Sequence, residues 1–476
     1  MSTIPPQHLI GLDALALAKL VKDGDVKPVE LLESAIARAE EVNIKINAIV
    51  TPMDELARHA AHAQILDGPF AGVPFLIKES GAYAGVRHSS GSCVLADYKA
   101  ELDSEMIRRY KKAGLLIFGK TNMSEFGLLP TTESKLFGPC RNPWNLKHMA
   151  GGSSGGTAAA VAAGIVPAAH GADGGGSIRL PAACCGLFGL KPTRARTPKG
   201  PGVGDSIGGL VIDHVISRSV RDSAALLDVT AGPAVGDPYW APPQKRPFLQ
   251  EVSTPPRPLK IGIMTEALMG TAVHPDCVAA VEDVAKLCAD LGHEIEPVTL
   301  PIDGQQLTDA FIVMWAAGCA WGVKSIAQLS GKAPAPEMYE PVTWGLYEMA
   351  LRHDAADYLL AVQSIQQITR QIAHFFQGID LLLTPTTASP PLPIGSFEPT
   401  PDNPMAGFDR AIEFAAFTPL ANATGQPAIS VPLVWNGDNL PIGVQFMGRF
   451  GDEATLFQLA GQLEEARPWM GKRPLL

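Results

Sequence analysis

The chain has 476 residues, 46% of them hydrophobic and 18% charged, with a formal net charge of −10 at pH 7. That composition predicts a soluble protein with a large core, and an acidic balance with no Lys/Arg-rich stretch excludes nucleic-acid binding driven by charge. No apolar stretch reads as approaching the roughly 20 residues that a bilayer span needs, so no membrane association is expected.

Residues 1–22 lack a basic start followed by a long apolar core, and Asp13 interrupts them. A secretory signal is therefore not expected. Helices are predicted over 12–24 and 28–42, the second with Pro28 in its first turn and Leu31, Leu32, Ala35, Ile36 and Ala39 on one stripe. Strands follow at 48–50 and 73–77, then a helix at 103–113 and a compact apolar strand at 115–118. A run of helix formers at 157–163 is closed by Gly164, 165–169 reads as a strand, and 178–185 as a helix opening at Ser177. A proline-rich surface connection at 233–258 leads to strands at 260–264 and 293–298 around a helix at 274–291. Long helices are predicted at 308–329 and 355–377, a strand at 380–384 and a proline-rich loop at 384–404. Two strands lie within 420–445 around the turn Asn436-Gly437-Asp438, and a helix at 453–467 follows. This alternation makes the chain α/β. Its seven cysteines are odd in number, include the adjacent pair Cys184 and Cys185, and show no zinc spacing. Reduced thiols in a cytoplasm are expected.

Three segments carry chemistry. Ser177 follows Gly174, Gly175 and Gly176 in a loop rich in backbone N–H groups, Gly151-Gly152-Ser153-Ser154-Gly155-Gly156 forms a second small-residue run, and Lys78 ends the apolar run 73–77. A hydroxyl nucleophile needs a proton acceptor and a site for developing negative charge, and these segments supply both. Neither glycine run carries the Lys-Ser/Thr pair of a phosphate-binding loop. Gly152-Ser153-Ser154-Gly155-Gly156 also fits a nucleophile elbow on Ser154, with His374 available, but the preceding 140–148 reads as loop where that motif needs a strand. Taken singly, each glycine run reads equally as turns and packing, and Lys78 as the solvated end of a strand.

Their order and surroundings resemble the amidase signature family. The matching runs are Gly72-Val73-Pro74-Phe75-Leu76-Ile77-Lys78-Glu79, Gly119-Lys120-Thr121-Asn122-Met123-Ser124-Glu125-Phe126, Arg141-Asn142-Pro143-Trp144, and the run from Gly151 to Gly156. Gly175-Gly176-Ser177-Ile178-Arg179-Leu180-Pro181-Ala182, Gly189-Leu190-Lys191-Pro192-Thr193, Thr384-Pro385-Thr386, Thr424-Gly425-Gln426-Pro427-Ala428 and Leu440-Pro441-Ile442-Gly443-Val444-Gln445 complete a resemblance that covers nearly the whole chain. Within the family, Phe70-Ala71-Gly72-Val73-Pro74, the run from Arg141 to Leu146 and Val313-Met314-Trp315 look like the branch containing 6-aminohexanoate cyclic dimer hydrolase.

The resemblance implies one domain over 1–476: a single large, mixed, twisted sheet with helices on both faces, a catalytic core at about 60–230 and a helical substrate-side region at about 305–378. It implies Ser177 as nucleophile, Ser153 as bridging serine after a cis peptide, Lys78 as base, and an oxyanion hole from the N–H groups of Gly174, Gly175, Gly176 and Ser177. A free lysine has a pKa near 10.4, so Lys78 must be buried to act as a base at pH 7. Asp173 and Arg179 are expected to pair and fix the loop, with Ser154 in support. Met123, Trp144, Trp315, Cys319 and Trp321 are candidate pocket walls. Ala172, where the family commonly has threonine, and Gly174, where a larger residue is frequent, depart from the pattern. The implied reaction is hydrolysis of small amides, with carbamates and esters as further substrates, without metal or cofactor and with a family tendency toward homodimers. The alternative is a glutaminase-type subunit of a tRNA-dependent amidotransferase, which has the same catalytic motifs.

Overall fold

The computed structural model describes residues 11–63 and 67–476; residues 1–10 of the amino-terminal stretch read above lie outside the described residues. Its central sheet contains β1 (Ile49–Pro52), β2 (Pro74–Lys78), β3 (Leu116–Thr121), β4 (Ala168–Asp173), β5 (Phe188–Lys191), β6 (Ile212–Ser217), β7 (Lys260–Ile263), β8 (Glu294–Pro297), β9 (Leu381–Pro385), β10 (Ala428–Trp435) and β11 (Pro441–Met447). They lie in the spatial order β1-β3-β2-β4-β6-β5-β10-β11-β9-β7-β8. β2 runs parallel to β3 and β4, and β7 runs parallel to β8 and β9. The remaining pairs are antiparallel.

Helices cover both faces. Along β9, Leu381 and Leu383 pack with the helices Pro275–Asp290 and Glu453–Ala466, while Leu382 packs with Gly304–Ser330 and Ala355–Phe375. Along β2, Phe75 and Ile77 join one cluster and Leu76 another. A strand buried on both sides reads as an unbroken apolar run, which is why both strands are legible as such in the sequence.

The site lies at one end of this sheet. Parallel β2 and β4 bring their last residues, Lys78 and Asp173, to the same end, and antiparallel β6 places Asp213 opposite Ala172 there. The helix Gly155–Ala162 packs beneath with almost no side-chain bulk. A Cβ on Gly156 would fall 2.4 Å from the backbone nitrogen of Asn122, and one on Gly155 would fall 2.4 Å from Thr132 Oγ1.

Two expectations need correction. The segment 140–148, read as loop, contains the short antiparallel pair Arg141–Asn142 and Asn145–Met149, whose register closes on Asn142 opposite Asn145. The helix Gly304–Ser330 is 27 residues long and, by length and composition, apolar enough to cross a bilayer, contrary to the reading that no stretch comes close. Its buried residues pack with Pro341–Ala350 and Ala355–Phe375 in one core cluster.

Gly156→Ala is expected to destabilise the fold by at least about 1–3 kcal/mol, because the methyl meets backbone rather than a movable side chain. Urea unfolding monitored by circular dichroism measures it, with the solvent-facing Gly322→Ala, where nothing lies within 4 Å, as the tolerated control.

Candidate active site

Lys78 arrives at the end of β2 only 2% exposed, and its Nζ lies 2.7 Å from Ser153 Oγ. Burial drives its pKa from the usual lysine value down to about 7, against the pull of Asp213 and Asp173, which favour the charged form. The Gly152–Ser153 peptide is cis. Gly152 is required there, since a Cβ would fall 2.2 Å from the carbonyl oxygen of Thr131. Thr132 holds the loop through its hydroxyl, which donates to the Gly151 carbonyl at 3.0 Å and accepts from Gly155 N–H at 3.1 Å. Lys78, Ser153 and Ser177 line one cleft of about 1730 Å³.

The loop after β4 is built around a carboxylate. Asp173 accepts from Gly176 N–H at 2.8 Å and Ile178 N–H at 3.1 Å, and it pairs with Arg179 through Nη2 at 2.9 Å and Nε at 3.0 Å. Arg179 also donates to Thr418 O at 2.9 Å, Gln445 Oε1 at 2.6 Å and Asn422 Oδ1 at 2.6 Å, so every arm of the guanidinium is used. Burial works to raise the Asp173 pKa, but the Arg179 charge and the hydrogen bonds from Arg179 and Asn422 outweigh it and hold it at about 2. The expected pairing of Asp173 with Arg179 is therefore present, fully buried.

Gly176 departs from the expected set of oxyanion donors. Its N–H is committed to the Asp173 carboxylate, while Gly174 and Ser177 line the cleft and Gly175 lines the adjoining cavity. Gly176 has φ +132°, and a Cβ there would fall 2.4 Å from Thr418 Oγ1. Gly174 has a different reason: the rings of Trp315 and the side chain of Val211 stand 3.0 Å from where its Cβ would be. Trp315 fills the space a larger residue would take.

Ser177 also opens onto a second cavity of about 930 Å³, walled by apolar side chains that include Leu128, Leu180, Leu307, Phe311, Trp315, Phe408 and Leu420. Trp315 stacks on Phe311 with ring centroids 5.6 Å apart and lines both spaces. Met123 and Trp321 line the cleft as expected. Two expected walls do not line either space. Trp144 donates its indole N–H to Cys185 O at 2.8 Å and packs on Trp435, because Asn142 and the short hairpin turn it away from the cleft. Cys319 is buried with its thiol 3.4 Å from Thr343 O, on the side of the long helix facing Pro341–Ala350. Ser154 is tied to Ala172, accepting from its N–H at 3.3 Å and donating to its carbonyl at 3.2 Å, so it anchors the loop to β4 and does not face the cleft.

Sequence reasoning missed His170, Asp213 and Lys199. His170 Nδ1 accepts the Lys78 main-chain N–H at 3.3 Å, its Nε2 lies 3.3 Å from Asp213 Oδ1, and Lys199 Nζ pairs with Asp213 Oδ2. Ionisable residues inside the buried strands 168–173 and 212–217 are the signal that marks His170 and Asp213; Lys199, in the loop before the second strand, carries none.

The chain matches the family described as Amidase over residues 30–457. It belongs to the amidase family. It is 37% identical over 487 aligned residues to the 6-aminohexanoate-cyclic-dimer hydrolase of Paenarthrobacter ureafaciens, covering 98% of this chain and 96% of that protein. The solved structure of a 6-aminohexanoate cyclic dimer hydrolase complexed with substrate superposes with a TM-score of 0.93 at 35% identity, covering 98% of this chain and 99% of that one. A glutamyl-tRNA(Gln) amidotransferase subunit from Thermotoga maritima is more distant, with a TM-score of 0.77 at 26% identity, covering 98% and 95%. The large mixed sheet with flanking helices is the fold these amidases share.

Because the Asp173 carboxyl has a lower pKa folded than the roughly 3.9 of a free aspartate, the pair contributes stability above pH ~4 that is lost as pH falls toward about 2. Asp173→Asn leaves Arg179 buried without its counter-charge and is expected to cost about 3–5 kcal/mol near neutral pH. Denaturant unfolding at pH 7 and pH 3 checks both statements, and the difference between wild type and variant must shrink at the lower pH.

Proposed function

We propose that this amidase is a serine hydrolase of small amides that forms an acyl-enzyme on Ser177, with Lys78 as base and Ser153 as proton relay. The observation that carries the reading is the 2.7 Å contact between a buried, water-poor amine and Ser153 in the cleft that Ser177 also lines. A neutral Lys78 draws a proton from Ser153 as Ser153 takes one from Ser177, and Ser177 Oγ attacks the carbonyl carbon. The oxyanion is held by the N–H groups of Gly174, Gly175 and Ser177. The tetrahedral species collapses as the proton returns through Ser153 to the leaving nitrogen, and water then cleaves the acyl-enzyme by the same relay.

The lining of the two spaces supports an assignment of the two halves of the substrate. The relay delivers its proton to the leaving amine, so the amine occupies the polar cleft beside Lys78 and Ser153. The acyl group takes the apolar cavity behind Gly175 and Leu180. Amides with extended aliphatic or aromatic acyl groups fit best, and carbamates and esters carrying such groups present the same carbonyl. The likeness to the amidotransferase protein is weaker than that to the amidohydrolases, which supports activity of the chain without a partner. All seven cysteines are free, which supports a reducing, cytoplasmic setting.

A fluorophosphonate is expected to label Ser177 and not Ser154, with mass mapping as the readout; label on Ser154 overturns the reading. Ser177→Ala, Ser153→Ala and Lys78→Met are each expected to lower kcat/KM by roughly 10³-fold or more. In the wild type the base must be neutral, so kcat/KM rises as pH climbs through about 7 and flattens above it. Across anilides of one amine, kcat/KM is expected to grow as the acyl chain lengthens from acetyl to hexanoyl, and a fall with length excludes the apolar cavity as the acyl site.

A further inference from the structure

Three adjacent strands set a row of ionisable groups side by side, and the relay uses only the first of them. Lys78 closes β2, His170 lies within β4 and Asp213 is the second residue of β6. His170 joins the other two: its Nδ1 accepts the main-chain N–H of Lys78, which leaves the proton on Nε2 to be donated to Asp213. The second oxygen of Asp213 is taken by Lys199, on the glycine- and proline-rich stretch 198–203 that walls the cleft.

We propose that Lys199 is a positioning residue which, by neutralising Asp213, sets the pH at which Lys78 gives up its proton and becomes able to act as a base. The inference rests on the reading of Lys78 as base and adds the device that tunes it.

The charges acting on the Lys78 amine come from few elements: Asp173 on β4, Asp213 on β6 and Lys199 on the cleft wall. The amine itself bonds to Ser153, His170 meets the Lys78 main chain, and Ser177 lines the same cleft. Tyr110, on the helix Glu105–Lys112, packs its ring on His170 with centroids 5.9 Å apart. His88 and Glu101 line the outer cleft, and Glu79 and Lys120 pair with each other, both buried. Asp173 is already committed to Arg179. Asp213 is the carboxylate whose compensation rests on one ammonium at the cleft wall. A bare carboxylate there would favour the protonated, inactive form of Lys78. Alongside the dominant effect of burial, Asp213 pulls the proton affinity of Lys78 upward and Lys199 pulls it down.

The rate of Ser177 labelling by a fluorophosphonate, followed across the acid limb, reads the state of the base without a known substrate. In Lys199→Met the midpoint of the limb is expected to move up by roughly 0.5–1 pH unit while the alkaline plateau stays within about twofold. Asp213→Asn, which can still accept from His170, is expected to move the midpoint down. Lys199→Arg keeps the wild-type midpoint, and the Lys199→Met/Asp213→Asn pair returns toward it. An unmoved midpoint in Lys199→Met overturns the proposal, as does a loss of rate by the same factor at every pH, which marks a structural role. Should Asp213→Asn fail to fold, Lys199→Met against Lys199→Arg decides alone. A Lys78→Met enzyme that labels at the wild-type rate overturns the relay itself; an inactive one beside an unmoved Lys199→Met limb overturns only the tuning.

Discussion

A lysine accepts protons near neutrality only if the protein makes its charged form expensive, and this constraint organises the end of the sheet where Lys78 lies. β2 achieves it by being buried on both faces, with Phe75 and Ile77 in one cluster and Leu76 in another, so that Lys78 is delivered into an interior already dry. The surrounding charges are arranged in pairs: Asp173 with Arg179, Asp213 with Lys199, Glu79 with Lys120. Each negative group near the amine thus has a cation of its own, and none depends on Lys78 remaining protonated. Desolvation then dominates, which is the order of effects seen at this residue.

Close approach of backbone to backbone is the second requirement. The loop carrying Ser153 and the helix after it sit so near Thr131, Thr132 and Asn122 that Gly152, Gly155 and Gly156 have no room for a methyl. The alanines at 158–160 continue the same economy of volume, and all are fully buried. The loop bearing Ser177 differs, since its glycines serve a carboxylate and an aromatic ring. Gly176 turns its N–H onto Asp173, and Gly174 lets Trp315 close over the loop. Trp315 thereby divides a polar cleft from an apolar cavity while touching both.

Much of this is legible in the sequence, for definite reasons. Strands buried on both faces are written as short apolar runs, and the helix at 355–375 is marked by its stripe of Ala361, Ile365, Ile368 and Ile372. Lys78, Ser153 and Ser177 are grouped by the resemblance of their motifs, in that order, to the amidase signature family. Pocket walls are harder, because a tryptophan that packs in a core and one that lines a cavity have the same local pattern. Trp144 and Trp315 look alike in sequence, yet Asn142 and Trp435 hold one away from the cleft while Phe311 and Gly174 seat the other beside it. The helices Val220–Thr230 and Pro341–Ala350 are missed for a related reason. The first is buried nearly all round, and the second is a short amphipathic turn whose start is held by Glu125 from far away in the chain, through Glu340 N–H and Thr343 Oγ1. His170 and Asp213 come together only through strand pairing, and Lys199 joins them from a loop through its ion pair with Asp213, which no local window contains.

The clamp on Arg179 has a consequence for how the molecule comes into being. Its partners Thr418, Asn422 and Gln445 lie more than 230 positions downstream, although Asp173 is only six residues away. A nascent chain emerging from the ribosome holds Lys78, Ser153 and Ser177 long before these three partners arrive. Until then the guanidinium lacks its three downstream acceptors, and β5 lacks its neighbour β10. The setting of the loop bearing Ser177 thus depends on contacts very distant in sequence, which form only once both stretches of chain are present.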